Sequence, residues 1–155
     1  MTVVLARIDQ RLIHGLIVNQ WAQYLKIKRF MVVDDELSKN ESIKSNMRMT
    51  KPAGTGMSII NTKKAIHNFN IGKYDEQRVF ILVKEPEVLI ELAKAGIKIP
   101  KIDLGILFDE NGRKSISKFV FLNAKEKQDL MTLKNMGIPV VIQYVPTDPE
   151  KEYLA

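Results

Sequence analysis

Two arginines, one aspartate and one of the chain's two histidines fall within a single short segment, Arg7-Ile8-Asp9-Gln10-Arg11-Leu12-Ile13-His14-Gly15. Imidazole changes charge near neutral pH, so an uncharged ring is available there as a nucleophile. A phosphoryl group on a ring nitrogen is a high-energy phosphoramidate, able to pass to another acceptor. His14 is therefore a candidate phosphoryl carrier. The guanidinium of Arg11 is a planar fork suited to phosphoryl oxygens. Asp9 could hold Arg11, or accept a hydrogen bond from the ring N–H and so fix the tautomer of His14. Gly15 removes a side chain beside the histidine and leaves room for a phosphoryl group and an approaching partner. A histidine near a helix start is also common as a cap or surface residue, and an Arg–Asp pair as a structural ion pair. The residue types alone do not separate these readings.

The position of the segment bears on the choice. Short, apolar, β-branched runs occur at Val3–Leu5, Phe30–Val33, Met57–Ile60, Val79–Val83, Ile102–Ile106 and Val140–Ile142, the pattern of buried strands. Between most of them lie amphipathic stretches. Ile13, Ile17, Trp21 and Tyr24 recur at helical spacing. So do Val88, Leu89, Leu92 and Ala93, with Pro86 near the start and Gly96 past the end. Leu130, Leu133 and Met136 form a further stripe, closed by Gly137 and Pro139. Ser38 or Asn40 caps a helix toward Met49, and Asn61 or Thr62 caps one toward Phe69. Residues 114–121 break the rhythm as a short hairpin or edge strand.

Strands alternating with helices predict an α/β fold in one domain spanning 1–155: a predominantly parallel central sheet, helices on both faces and a short edge hairpin. In such sheets function sits beyond the carboxyl ends of the strands. The loops to inspect follow Leu5, Val33, Val83 and Gly105. The first places His14 at a helix N-terminus, where unpaired N–H groups and the helix dipole favour an anion. Arg7, Asp34 and Gly105 then stand at the periphery of a site built from His14, Asp9, Arg11 and Gly15.

Composition narrows the alternatives. The 155 residues include 24 Lys and Arg against 18 Asp and Glu, a net charge of +6, and no cysteine. A disulfide framework, a thiolate zinc site and a cysteine nucleophile are excluded. With two separated histidines, no metal site and no cofactor is expected. No basic region precedes the first apolar run, and no stretch reaches the roughly 20 apolar residues of a membrane helix, so a cytoplasmic location is expected. The positive charge suits phosphate, an acidic protein or nucleic acid. A basic nucleic-acid- or anion-binding module without catalytic activity is the rival reading. It calls for clustered Lys and Arg with exposed aromatics, and the lysines here are scattered, so no nucleic acid is expected as a partner.

The remaining candidates read as structure. His67, among Lys63, Lys64 and Asn68, is a surface residue. Gly54-Thr55-Gly56 lacks the Lys-Ser/Thr of a phosphate loop and leads into a strand, so it is a turn. Asp34 and Asp35 suit a turn or cap better than a divalent-metal pair. Lys44 and Arg48 suit solvated helix surface better than added charge near the site.

The segment Arg7–Gly15, followed by Trp21, closely resembles the signature of the IIB components of the mannose/fructose/sorbose family of the phosphoenolpyruvate-dependent sugar phosphotransferase system. Val32-Val33-Asp34-Asp35-Glu36 resembles the family's second strand and acidic turn. Ile102-Asp103-Leu104-Gly105 resembles a strand ending in a glycine turn, and Val145-Pro146-Thr147-Asp148-Pro149 its C-terminal segment. The resemblance covers essentially the whole chain. It implies that His14 is phosphorylated on its pros (δ1) nitrogen by a phosphohistidine of the IIA component. His14 would then pass the group to a sugar arriving through the membrane components IIC and IID. It also implies that Asp9 and Arg11 hold and stabilise the active histidine, and that the protein associates peripherally with the membrane complex. Association with further copies of the chain stays open. Two departures stand out: Leu16 where the family usually has glutamine, and Asp103-Leu104-Gly105-Ile106-Leu107 where it usually has Asn-Val-Gly-Gly-Met or Asn-Val-Gly-Asn-Met. Val145–Pro149 leans toward the N-acetylgalactosamine-type members.

Overall fold

The strand that opens the chain is longer than its apolar run. In the structure, a computed structural model that describes residues 2–154, β1 spans Val3–Asp9 and is buried along nearly its whole length. Arg7 and Asp9 therefore belong to the strand. The apolar run alone ends at Leu5, because charged residues are rare at fully buried positions unless paired.

The other strands of the main sheet are β2 (Arg29–Val33), β3 (Gly56–Ile60), β4 (Val79–Val83), β5 (Ile102–Ile106), β8 (Val140–Ile142) and β9 (Lys151–Glu152). Their order is β3-β2-β4-β1-β5-β8-β9. All pairings are parallel except β8–β9. β1 lies near the middle, between β4 and β5. The chain leaves β1 toward β2 on one side, whereas β5 and β8 build the other side. The carboxyl end of β1 is thus flanked by strands leading in opposite directions, where open α/β sheets bind ligands.

Alternation along β1 sorts its side chains onto two faces. Ala6 and Ile8 join one buried cluster with Val83, Leu104, Leu89, Leu92, Leu130 and Leu133. That face is covered by α3 (Thr62–Asn70), α4 (Pro86–Lys94) and α5 (Ala124–Asn135). Leu5 joins the opposite cluster with Leu12, Ile17, Trp21, Phe30 and Phe80. Arg7 and Asp9 share the Leu5 face by the period of two. Between Ile8 and Asp9 the β1–β5 register shifts, so Asp9 pairs with Ile106. Irregularities of this kind re-aim a side chain at a strand end.

The helix after β1 begins at Gly15. It passes through a wide π-helical segment, Ile17–Trp21, before α1 (Ala22–Leu25) and a left-handed stop at Lys26. Ile17 and Trp21 are buried as their spacing predicts, but Tyr24 is 63% exposed. The extra residue of the π turn rotates the helix, so a strict 3.6-residue stripe no longer holds past Trp21.

The predicted caps resolve to Asn40 for α2 (Glu41–Arg48) and Asn61 for α3. Residues 114–121 form a hairpin, β6 (Lys114–Ser115) with β7 (Phe121–Leu122). It is a separate two-stranded sheet; the antiparallel edge strand of the main sheet is β9. Arg113, at its base, makes a buried bidentate pair with Glu126 of α5. No helix among the described residues is long and apolar enough to cross a membrane.

Candidate phosphoryl-transfer site

Asp9 ends β1 with two carboxylate oxygens that do different work. Oδ1 accepts the main-chain N–H of Arg11 at 2.9 Å, which folds the chain into a turn two residues on. Leu12 N–H donates to the Asp9 carbonyl at 3.0 Å. The turn holds Leu12 at φ 55°, a left-handed conformation that costs a β-carbon residue about 1–2 kcal/mol. Burial of the Leu12 side chain in the core offsets that strain. Oδ2 of Asp9 accepts from two groups, Arg7 Nε at 3.0 Å and His14 Nε2 at 2.9 Å.

The contact to His14 fixes the tautomer. An ionised carboxylate only accepts, so the ring nitrogen facing it carries the hydrogen. Nε2 is the donor, and Nδ1 keeps its lone pair. The side chain of His14 is only 8% exposed, with Nε2 turned to the buried Asp9. Next to it the helix begins. The first internal bond is Val18 N–H to the His14 carbonyl, so the N–H groups of residues 15–17 precede the helical ladder. These amides and the dipole end of the helix suit an anion beside the ring.

Arg7 is the buried hub beneath the histidine. Its Nη1 donates to Asp103 Oδ2 at 2.8 Å and to the carbonyls of Gln143 and Tyr144 at 2.9 and 3.0 Å. Its guanidinium stacks over the Trp21 ring, 5.2 Å from the centroid. Trp21 Nε1 also donates to the Tyr144 carbonyl. Arg7, Asp9 and Asp103 are all fully buried. A charge so placed must be paired, and here one cation lies between two carboxylates. Burial pushes the Asp103 carboxyl up to about 7, against the opposing pull of Arg7, the Gln143 main chain and Lys101.

Several expectations are thereby revised. Arg7 and Gly105 are not peripheral. Gly105 lies inside β5, not in a turn after it, and a β-carbon there would run into the Arg7 guanidinium. Asp9 holds Arg11 by its main chain, and the Arg11 side chain is exposed, its guanidinium making no ion pair or hydrogen bond among the described residues. A β-carbon at Gly15 would meet only Asn19 Nδ2, at 3.8 Å, so that position is open. Asp34 is engaged in its own turn: its Oδ1 accepts from Leu37 N and its Oδ2 lies 4.0 Å from Lys84. Asp35 accepts from Thr62 N and Oγ1. Among the described residues no group of three or more His, Cys, Asp or Glu side chains could hold a metal ion. Lys44 bonds Ser38 O and Glu41 on the surface of α2, and His67 is exposed on α3.

Sequence reasoning missed the aromatic surroundings. Phe119 of the hairpin stacks on Tyr144, centroids 3.9 Å apart and planes 16° from parallel. Together with Phe108 and Lys118 they line a cleft of about 230 Å³ that includes Arg11. Gln10 ties this region to the turn, accepting from Phe108 N at 2.8 Å. Nothing local in the sequence links Gln10 to Phe108, 98 residues further along the chain.

Residues 3–155 match the family described as PTS system sorbose subfamily IIB component. The chain belongs to this family. It is a phosphotransferase component, a phosphoryl carrier in sugar uptake. This IIB component is 32% identical over 155 residues to the sorbose-specific EIIB component of Lacticaseibacillus casei, covering 100% of this chain and 94% of the relative. It is 29% identical to the mannose-specific EIIAB component of Escherichia coli, covering 97% of this chain but 46% of that longer protein. The crystal structure of the IIBSor domain of the Klebsiella pneumoniae sorbose permease superposes with a TM-score of 0.93 at 26% identity, covering 98% and 93% of the two chains. Components of this kind work with a IIA component and with membrane IIC and IID components. The parallel sheet, the helices on both faces and the carrier role agree with the sequence reading of this IIB component.

Proposed function

We propose that His14 is the residue of this IIB component that takes up the phosphoryl group, on Nδ1, from a phosphohistidine of IIA. The observation that carries the proposal is the 2.9 Å contact between His14 Nε2 and Asp9 Oδ2, which leaves Nδ1 with a free lone pair. That lone pair forms the new N–P bond as the donor's N–P bond breaks and its electron pair returns to the donor ring. Positive charge grows on the His14 ring as the bond forms, and the Asp9 carboxylate stabilises it through Nε2–H. Donor and acceptor are chemically alike, so the task is positioning and charge neutralisation. The exposed Arg11 guanidinium and the amides at the helix start neutralise the equatorial oxygens.

His14 then hands the group to a sugar at the membrane components IIC and IID. The protein works at the cytoplasmic face, peripheral to that complex. The mannose-specific EIIAB relative, in which a IIA component and a IIB component share one name, supports IIA as the donor. The relatives carry the names of different sugars, and the segment Val145–Pro149 is occupied structurally, with Gln143 Nε2 donating to the Pro146 and Asp148 carbonyls. Sugar choice is therefore assigned to the membrane components.

The test is incubation with phosphoenolpyruvate, the two general phosphotransferase proteins and IIA. An acid-labile label is expected on the wild type and absent from His14→Ala. A label that survives the substitution overturns the proposal.

A further inference from the structure

The proposed reaction calls on Asp9 to carry negative charge beside the His14 ring. Yet Arg7 Nε sits on the same Asp9 oxygen at 3.0 Å, and a guanidinium so close cancels much of that charge. The other end of the guanidinium is held by Asp103 through the 2.8 Å bond from Nη1. All three side chains are buried, so water screens none of these interactions. Gly105, with no side chain, is what lets the guanidinium lie across β5.

We propose that Asp103 is a positioning residue for phosphoryl transfer, acting on His14 through Arg7 and Asp9. With Asp103 ionised, Arg7 is shared between two carboxylates and the buried group of three carries a net negative charge toward the ring. With Asp103 neutral the three sum to zero, and Asp9 supports the charged ring less well. The inference rests on His14 being the acceptor. No proton or electron is exchanged along the chain of contacts; the effect is electrostatic and orientational.

The groups around this network are few. Asp103 faces Arg7 from β1, the Gln143 main chain from the end of β8, and Lys101 ahead of its own strand. Arg7 faces Asp9, Asp103, the two carbonyls and the Trp21 ring. Asp9 faces Arg7, His14 and the Arg11 amide. Burial holds the Asp103 carboxyl at about 7, so both of its charge states are accessible near neutral pH.

Asp103→Asn keeps a carbonyl oxygen for Arg7 Nη1 and removes the charge. The rate of label transfer from phosphorylated IIA is measured for wild type and Asp103→Asn across pH, and expressed as their ratio, which cancels the donor's own pH dependence. The ratio is expected near one below about pH 6, where Asp103 is neutral like asparagine, and should rise through about pH 7 to a plateau. A ratio that does not change with pH overturns the inference. A second measurement needs neither donor nor variant: nitrogen NMR of the wild-type His14 ring should show, besides the ring's own protonation step, a second step that coincides with titration of the Asp103 carboxyl carbon. Absence of that second step also overturns it. If label appears on a residue other than His14, the functional proposal falls, whereas label on His14 with a flat ratio sinks only the role of Asp103.

Discussion

Gly105 and Arg7 occupy one space: the guanidinium of Arg7 lies where a β-carbon at position 105 would stand. Gly105→Ala must therefore displace a buried cation from Asp9, Asp103 and two carbonyls. Overpacking of this kind typically costs about 1–3 kcal/mol. Gly15→Ala, by contrast, meets only Asn19 Nδ2 at ordinary contact distance and should leave stability within about 0.5 kcal/mol. Urea denaturation of the two variants checks the contrast. Equal stabilities would mean that Arg7 can be rehoused without loss.

Arg11 separates stability from chemistry. Its side chain is exposed and its turn is held by its main-chain N–H on Asp9. Arg11→Ala should fold with stability within about 0.5 kcal/mol of wild type. Loss of one charge-stabilising donor from a transfer site typically slows the step by roughly 10²-fold or more, and the initial rate of labelling from phosphorylated IIA is expected to fall accordingly. A variant that unfolds would make Arg11 structural, and one that transfers at the wild-type rate would remove it from the site.

Asp103 gives stability a dependence on pH whose sign is fixed by burial. Its carboxyl is raised from the ordinary 3.8 to about 7 in the folded protein. Between those values the folded state keeps a proton that the unfolded state has released, so stability contributed at this position falls as pH rises across the window and stays reduced above it. Asp103→Asn removes that slope. The variant's stability relative to wild type should therefore be larger at about pH 8 than at about pH 5. Chemical denaturation at both values reads it directly; an unchanged difference would place the titration of Asp103 elsewhere.

The residues of the first motif are legible because their types are unusual together, and the strand–helix alternation announces a parallel sheet with its business at the end of β1. What the sequence does not reveal is burial of charge. Apolar runs define strands, so β1 reads as ending at Leu5, and Arg7 falls in a loop it does not occupy. The partner that makes its burial tolerable, Asp103, lies 96 residues away along the chain and carries no local signal linking it to Arg7. Gly105 reads as a turn for the same reason, since its need is set by a side chain from the neighbouring strand. Tyr24 departs from its predicted face because the π-helical turn shifts the phase of the helix. The caps at Asn40 and Asn61, whose donors lie three residues away, are within reach of local reasoning.

The most direct test is the position of phosphorus on the His14 ring, read from phosphorus–nitrogen couplings in the nitrogen-labelled, freshly phosphorylated protein. Because Asp9 occupies Nε2, the coupling is expected at Nδ1, with the Nε2 hydrogen retained. Phosphorus on Nε2 would mean that the Asp9 contact is broken or irrelevant in transfer, and would contradict the role of the buried carboxylate in orienting the ring.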